Sequence, residues 1–147
     1  MDVVHIFGSG SRTVEGVVEP GCEHFPVGAS SLQEAYTNEH GALPTKCLIN
    51  KCPNRIHRKK ALTKLKEEGK ATAEDRVCHM AHVFKCDDIF PATYIIPTCD
   101  TCNIGKNGQR ATARLNARIV ALPDCNCWMK DFEALKDNLS SPANWGF

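Results

Sequence analysis

The sequence predicts a small α+β domain, in which an N-terminal β-hairpin precedes a two-stranded core and helices are added around that core. Three observations support this prediction. Short β-branched and apolar runs occur at residues 3–7, 14–18, 77–84 and 93–96. Apolar residues at helical spacing occur at 31–40, 55–66, 110–120 and 128–139. Several cysteines form close pairs, a pattern typical of small metal-stabilised domains.

Length and charge restrict the class of protein. The 147 residues suffice for one core, so we predict a single domain over 1–147. The net charge of +1 excludes the global basic field of a strong, non-specific nucleic-acid binder. No apolar run has the length of a membrane span, so no membrane association is expected. The first residues lack the features of a signal peptide, which predicts an intracellular protein, in cytoplasm or nucleus, that is not secreted.

The N-terminal segment has recognisable turn and capping signals. Residues 3–7 and 14–18 flank a Gly-Ser stretch and are predicted to pair as a hairpin. His5 lies inside the first run, and we interpret it as a core or surface histidine and not as a ligand. Ser31 and Glu34 form a capping box for a helix that is expected to stop at Gly41.

Two cysteine pairs predict a metal site. Four residues separate Cys47 from Cys52, and two separate Cys99 from Cys102, so each pair can present two thiolates to one tetrahedral ion. We predict that all four bind one structural Zn²⁺, because four thiolates leave no open position for water. A different pairing, or free structural thiols, is the alternative.

A second zinc site is a further hypothesis. Cys22 and His24 lie near the N-terminus, and Cys125 and Cys127 lie near the C-terminus, each pair separated by one residue. Together they would supply four ligands and join the two ends of the chain. Spacing alone does not bring the pairs together, so free thiols are the alternative.

Two basic segments are candidates for phosphate contact. Six lysines and arginines lie between residues 55 and 66, on a predicted helix that ends near Gly69. A second predicted helix, 110–120, has apolar positions that include Leu115 and carries arginines at a four-residue spacing. For each segment, a solvated surface is the alternative. From these segments we predict phosphate contacts by Arg55, Arg58, Lys59, Lys60, Arg110 and Arg114.

One stretch has the order of a known family. His82 lies in a β-like run, a second run ends at Pro97, and the sequence Cys99-x-x-Cys102-Asn103 follows, with Lys106 beyond it. This order resembles the HNH, or ββα-metal, nuclease superfamily in its zinc-stabilised four-cysteine form. The resemblance covers about residues 47–106. It implies an HNH-like core there, an N-terminal extension 1–46 and a helical C-terminal extension 107–147.

The resemblance also implies roles for individual residues. His82 takes the position of the general base, Asn103 that of the ligand of a catalytic Mg²⁺ or Mn²⁺, and Lys106 joins the phosphate-binding candidates. Two positions depart from the family pattern, because Ala81 precedes the histidine and Tyr94 stands where many members have an asparagine.

The departures favour one of two hypotheses about function. The first is a zinc-binding HNH-like module that binds nucleic acid, DNA or RNA, or a protein partner, with lost or reduced nuclease activity. The alternative is an active metal-dependent HNH endonuclease that hydrolyses phosphodiester bonds.

Asp87 and Asp88, in the loop between the two strands, are interpreted as turn residues, with metal binding as the other interpretation.

Overall fold

The computed structural model describes residues 1–6, 12–14, 17–19, 26, 28–87, 92–103 and 109–130. Within these ranges helices and strands are mixed, which confirms the α+β class in its general form. No helix in this part of the chain is long and apolar enough to cross a membrane.

The elements follow one another in a simple order. The strands are β1 (Asp2–His5), β2 (Arg12–Val14), β3 (Val17–Glu19), β4 (Arg55–His57), β5 (Asp75–Lys85), β6 (Tyr94–Cys99), β7 (Arg110–Thr112) and β8 (Val120–Ala121). The helices are α1 (Leu32–His40), α2 (Lys59–Glu67) and α3 (Asp100–Asn103), and a 3₁₀ turn covers Cys127–Lys130. The main sheet has the order β7-β1-β5-β6-β8 with antiparallel neighbours, and β4 joins β5 in parallel.

The predicted pairing of the N-terminal hairpin is wrong. β1 lies between β5 and β7, and β2 pairs instead with β3. Val3, Val4 and Ile6 are all fully buried. A run that is apolar on both faces is typical of an interior strand and not of a surface hairpin.

The predicted central hairpin is confirmed. β5 and β6 pair in antiparallel register from Cys78 opposite Cys99 to Val83 opposite Tyr94. A turn begins after β5 at Cys86 and Asp87, whereas Asp88 lies outside the described residues. The pairing brings the start of α3 to the side of β5, against which α3 packs.

Helix α1 has the predicted ends. The Ser31 hydroxyl accepts a hydrogen bond from the Glu34 amide at 3.1 Å, and Gly41 ends the helix with φ 86°. Tyr36 is buried, and its hydroxyl donates to the carbonyl of Arg118 at 3.0 Å. This bond fixes α1 to the segment that leads into β8.

The predicted basic helix 55–66 is divided into two elements. Its first residues form β4, because Ile56 is buried and pairs with β5. The rest forms α2. The amide of Lys70 donates to Leu65 at 2.9 Å, and that of Gly69 donates to Lys66 at 3.1 Å, with Gly69 at φ 67°. These two bonds form a Schellman motif, so the predicted termination near Gly69 is confirmed.

The predicted helix 110–120 is wrong. Its first part is β7, which pairs with β1, and its end enters β8. Between them the chain turns at Leu115 and Asn116, where Asn116 has φ 68° and Leu115 is 91% exposed. Strand pairing therefore overrides the helical spacing of the arginines. Of the predicted helix 128–139, only the 3₁₀ turn lies within the described residues.

Alternating side chains divide the sheet into two faces, each covered by a core. The first core contains Val3, Ala81, Val83, Ile96 and Ala111 together with five buried cysteines. The second core contains Val4, Ile6, Phe84, Ile95 and Val120, with Tyr36 of α1 and the pair Cys125 and Cys127.

Candidate metal centre

Four thiols converge in the first core. The sulfur atoms of Cys47, Cys52, Cys99 and Cys102 lie within 4.8 Å of one another, and all four residues are buried. The Cys52 and Cys99 sulfurs are 3.8 Å apart. A tetrahedral ion with Zn–S bonds of about 2.3 Å requires sulfur–sulfur separations of about 3.8 Å. The residues therefore fit a metal ion, which confirms that the two predicted pairs come together.

A short loop and a strand end position these thiols. Cys47 and Cys52 flank a tight loop in which Lys51 has φ 67° and the Cys52 amide donates to the carbonyl of Ile49 at 3.2 Å. Cys99 is the last residue of β6, and Cys102 lies one turn later in α3. Local backbone geometry alone therefore places the two thiols of each pair close together.

Polar groups surround the cluster. The Asn54 side-chain amide donates to the Cys99 sulfur at 3.3 Å. Arg114 donates from Nε to the carbonyl of Cys47 at 2.7 Å and from Nη2 to the carbonyl of Cys52. A zinc tetrathiolate carries a net charge of −2, and the nearby guanidinium offsets part of that charge in a buried site.

The thiols influence one another's ionisation. Hydrogen bonds from Cys102 and then Cys47 lower the pKa of Cys99, whereas the bonds that Cys102 donates to Cys47 and Cys99 raise the pKa of Cys102. Cys99 is therefore the most readily ionised of the four thiols, since the pKa values of Cys47 and Cys52 are also raised. Binding of zinc as a tetrathiolate releases the remaining protons.

A fifth buried cysteine is not part of the cluster. Cys78 lies opposite Cys99 in the strand register, yet its thiol is outside the four-sulfur group. Burial raises the pKa of Cys78 to about 12, so its thiol stays protonated at neutral pH.

The structure does not bring His82 and Asn103 onto one face. His82 lies opposite Ile95, and its carbonyl accepts from the Ile6 amide at 2.8 Å. Ile6 and Ile95 both belong to the second core, so alternation places the His82 side chain there. Asn103 lies on the side of the first core, where its Oδ1 bonds to Nε2 of His5 at 2.9 Å. The expected pairing of base and metal ligand is therefore corrected to a pairing of Asn103 with His5.

Sequence reasoning gave His5 no such role. His5 lies opposite Val83 of the first core and is only 4% exposed. A histidine within an otherwise apolar run was the available signal in the sequence, because such a run is often buried and buried polar side chains require partners. The partner itself is 98 residues away and cannot be identified from spacing.

Three predicted phosphate contacts instead have partners inside the chain. Arg55 Nε donates to Asp75 at 2.9 Å, and Arg110 Nη2 donates to Asp2 at 2.6 Å. Arg114 holds the carbonyls of the cysteine loop. Because these three guanidiniums bond to groups of the chain itself, their role is structural.

The other phosphate candidates remain at the surface where they are described. Lys59 and Lys60 are exposed on α2. Arg58 is also exposed, and its Nη1 donates to Gln33 Oε1 at 3.1 Å. Lys106 lies outside the described residues. Of the predicted phosphate contacts, the exposed ones within the described residues are therefore concentrated at the start of α2.

The second zinc site stays a prediction. Cys22 and His24 lie outside the described residues. Cys125 and Cys127 are both buried in the second core, beside Tyr36 and Trp128.

Fold and site together define a class: a mixed α and β domain with a buried four-cysteine site able to hold a metal ion such as zinc. Comparison of the chain with known protein families, curated proteins and solved structures found no match. The resemblance to HNH nucleases therefore rests on the quoted motif alone.

Proposed function

We propose that the chain is a zinc-stabilised, HNH-like ββα module that binds nucleic acid through helix α2 and has lost nuclease activity. The observation that carries this proposal is the closed cluster of four buried thiols. Four thiolates satisfy a tetrahedral zinc ion and leave no position for water or substrate, so the metal has a structural role. The β5–β6 hairpin followed by α3, with the second cysteine pair at their junction, supports the ββα assignment.

The charge distribution on α2 supports a binding surface. Residues 58–67 contain five cations, Arg58, Lys59, Lys60, Lys64 and Lys66, and one acidic residue. The first turn has no acidic residue, and no side chain in the described part of the chain caps the start of the helix. Cations at a helix N-terminus oppose the helix dipole. Their position lowers helix stability, which favours a role in contacting phosphate groups.

The geometry around the two histidines favours binding over cleavage. A general base must reach the proton that it abstracts, often through a water molecule. His82 is 5% exposed and faces the second core, and His5 is 4% exposed and bonded to Asn103. Mg²⁺- or Mn²⁺-dependent hydrolysis by His82 and Asn103 requires both side chains at one accessible site, so it is the less supported candidate.

Nucleic-acid binding is tested with two charge-matched double variants of the zinc-loaded protein. Lys59→Gln with Lys60→Gln removes two exposed cations from α2, and Lys46→Gln with Lys51→Gln removes two exposed cations elsewhere. We expect the α2 variant to weaken binding of a DNA or RNA oligonucleotide and to reduce the salt slope by about 2. Equal loss in both variants would show that α2 is not the binding surface.

Two further assays separate the alternatives. Plasmid incubated with the protein and Mg²⁺ or Mn²⁺ should remain intact, whereas cleavage that His82→Ala abolishes would establish the endonuclease. If no DNA or RNA of any tested form binds at low salt, the nucleic-acid proposal is rejected and a protein partner becomes the leading hypothesis.

A further inference from the structure

A cavity of about 340 Å³ lies between α2 and the start of β5, and Asp100, the residue after Cys99, is one of its lining residues. Leu62, Ala73 and Val77 form its apolar side. Lys66 of α2 and Arg76 of β5 supply its positively charged groups. Its volume is in the range of small-molecule binding sites, and an apolar wall with a few convergent polar groups is their usual composition.

The acceptors in this cavity already have donors. Asp75 Oδ1 accepts from Arg55 at 2.9 Å and from His57 at 2.8 Å, and its Oδ2 accepts from the Thr72 amide at 2.8 Å. Asp100 accepts from Arg76 Nε at 2.7 Å and from Arg76 Nη2 at 2.8 Å. Neither carboxylate therefore offers an unused oxygen to attract a cation.

The donors are less fully used. Within the described part of the chain, Lys66 forms no ion pair or hydrogen bond, and Arg76 uses Nε and Nη2 but not Nη1. The Arg76 side chain is 38% exposed. Asp100 also holds the guanidinium plane in place, which lowers the entropy cost of binding a ligand.

We propose that this cavity binds a phosphate monoester, with the phosphate between Lys66 and Arg76 Nη1 and its organic group against Leu62 and Val77. Lys66 and Arg76 have unused donors, whereas the two carboxylates already accept hydrogen bonds, so the cavity favours an anion over a cation. The apolar wall and the volume leave room for a group such as a nucleoside beyond the phosphate. A free nucleotide and the 5′-phosphate end of a nucleic acid share this chemistry. The site shares Lys66 with the proposed nucleic-acid surface on α2, but neither Lys59 nor Lys60, the two residues whose substitution tests that surface, lines the cavity.

The test is a titration of the zinc-loaded full chain with adenosine 5′-monophosphate, adenosine and inorganic phosphate, monitored by the amide NMR shifts of Ala73 and Val77. We expect the nucleotide to shift both amides and adenosine to bind at least about tenfold more weakly. Lys66→Gln should weaken nucleotide binding by about tenfold. Lys70→Gln is the charge-matched control, since Lys70 pairs with Glu68 at 3.3 Å and does not line the cavity.

Three outcomes would overturn the proposal. The first is equal binding of adenosine and its monophosphate. The second is an equal effect of Lys66→Gln and Lys70→Gln, which would indicate a diffuse charge effect. The third is the absence of shifts at Ala73 and Val77 at millimolar nucleotide. Oligonucleotides with and without a 5′-phosphate then separate the two sources, because only a nucleic-acid end predicts tighter binding of the phosphorylated strand.

Discussion

The imidazole of His5 and the side-chain amide of Asn103 are hydrogen-bonded, with 2.9 Å between Nε2 and Oδ1. Because an amide oxygen only accepts, Nε2 of His5 carries the proton. The bond links β1, the first strand of the chain, to the residue directly after the second cysteine pair. It therefore connects the sheet to the metal site across 98 positions of sequence.

Removal of this bond should destabilise the fold. Asn103→Ala leaves the buried His5 donor without its acceptor, so we expect the free energy of unfolding to fall by about 1–3 kcal/mol. Urea denaturation of the zinc-loaded protein measures the change. Asn50→Ala is the control, because Asn50 is exposed and, among the residues that the structure describes, its backbone amide bonds to Thr112 while its side chain has no hydrogen bond. A loss no greater than that of the control would mean that the bond contributes nothing to stability.

Zinc content should depend on all four clustered cysteines. Wild-type protein purified without chelator is expected to contain one zinc per chain from this site, measured by atomic emission. Cys52→Ser should lower zinc affinity by more than the roughly 10–100-fold that is typical of changes around a metal site. Cys86→Ser is the matched control, since its thiol is half-buried and outside the cluster. Full zinc content and affinity in Cys52→Ser would contradict the assignment.

The groups around the cluster should also affect zinc affinity. Asn54→Ala removes the amide that donates to the Cys99 sulfur, and we expect a loss of about 10–100-fold in a chelator competition. Asn54→Gln tests whether the position of the amide is required, because it keeps the amide and lengthens the side chain.

Arg114 is expected to stabilise the fold and the metal site through the hydrogen bonds that its guanidinium donates. Arg114→Met keeps the aliphatic length but removes the bonds to the carbonyls of Cys47 and Cys52, so we expect a loss of about 1–3 kcal/mol in stability together with weaker zinc binding. Arg118→Met is an exposed control in the same segment. If Arg114→Met weakened nucleic-acid binding alone, the earlier prediction of a phosphate contact would be restored.

Acid should weaken the network at the start of β5. Arg55, the Thr72 amide and His57 hold the pKa of Asp75 well below its ordinary value of 3.8. Because the pKa of Asp75 is lowered in the folded protein, the stabilisation that its ionised carboxylate contributes is fully present above pH 3.8. It is lost as the pH falls below 3.8. Asp75→Asn should therefore be less stable than wild type at about pH 5, and the gap should narrow towards about pH 3.

Exposed Asp124 provides the control for that measurement. Acid also releases zinc from the cysteines, but this contribution is common to wild type, Asp75→Asn and Asp124→Asn. Urea midpoints at each pH thus isolate the contribution of Asp75. A gap that stays constant with pH would show that the carboxylate is not preferentially ionised in the fold.

Local signals in the sequence predicted local structure. The Ser31 cap, the Gly41 and Gly69 terminations and the β5–β6 hairpin depend on neighbouring residues, and all are present. The cysteine cluster was also predictable, because each pair carries its own geometry and a tetrahedral ion requires two such pairs.

Long-range pairing was not predictable in the same way. The arginine spacing at 110–120 is helical, yet Arg110 bonds to Asp2 because β7 pairs with β1. His82 has the motif position of a catalytic base, but the face it occupies is decided by the strand register with Ile6 and Ile95. A single-residue difference in register inverts the face, and nothing in the local sequence specifies it.

The loop between Cys47 and Cys52 has a consequence for self-association. Leu48 donates to the carbonyl of Pro97 on β6 at 3.2 Å, and Asn50 donates to Thr112 at the end of β7 at 2.9 Å. The loop thereby occupies backbone groups on strands at opposite sides of the sheet, which would otherwise be available to pair with another chain. Loss of zinc from the proposed site would loosen the loop and expose these backbone groups. The metal-free protein is therefore expected to form intermolecular β-sheet and precipitate, and zinc bound at the proposed site is expected to prevent this aggregation.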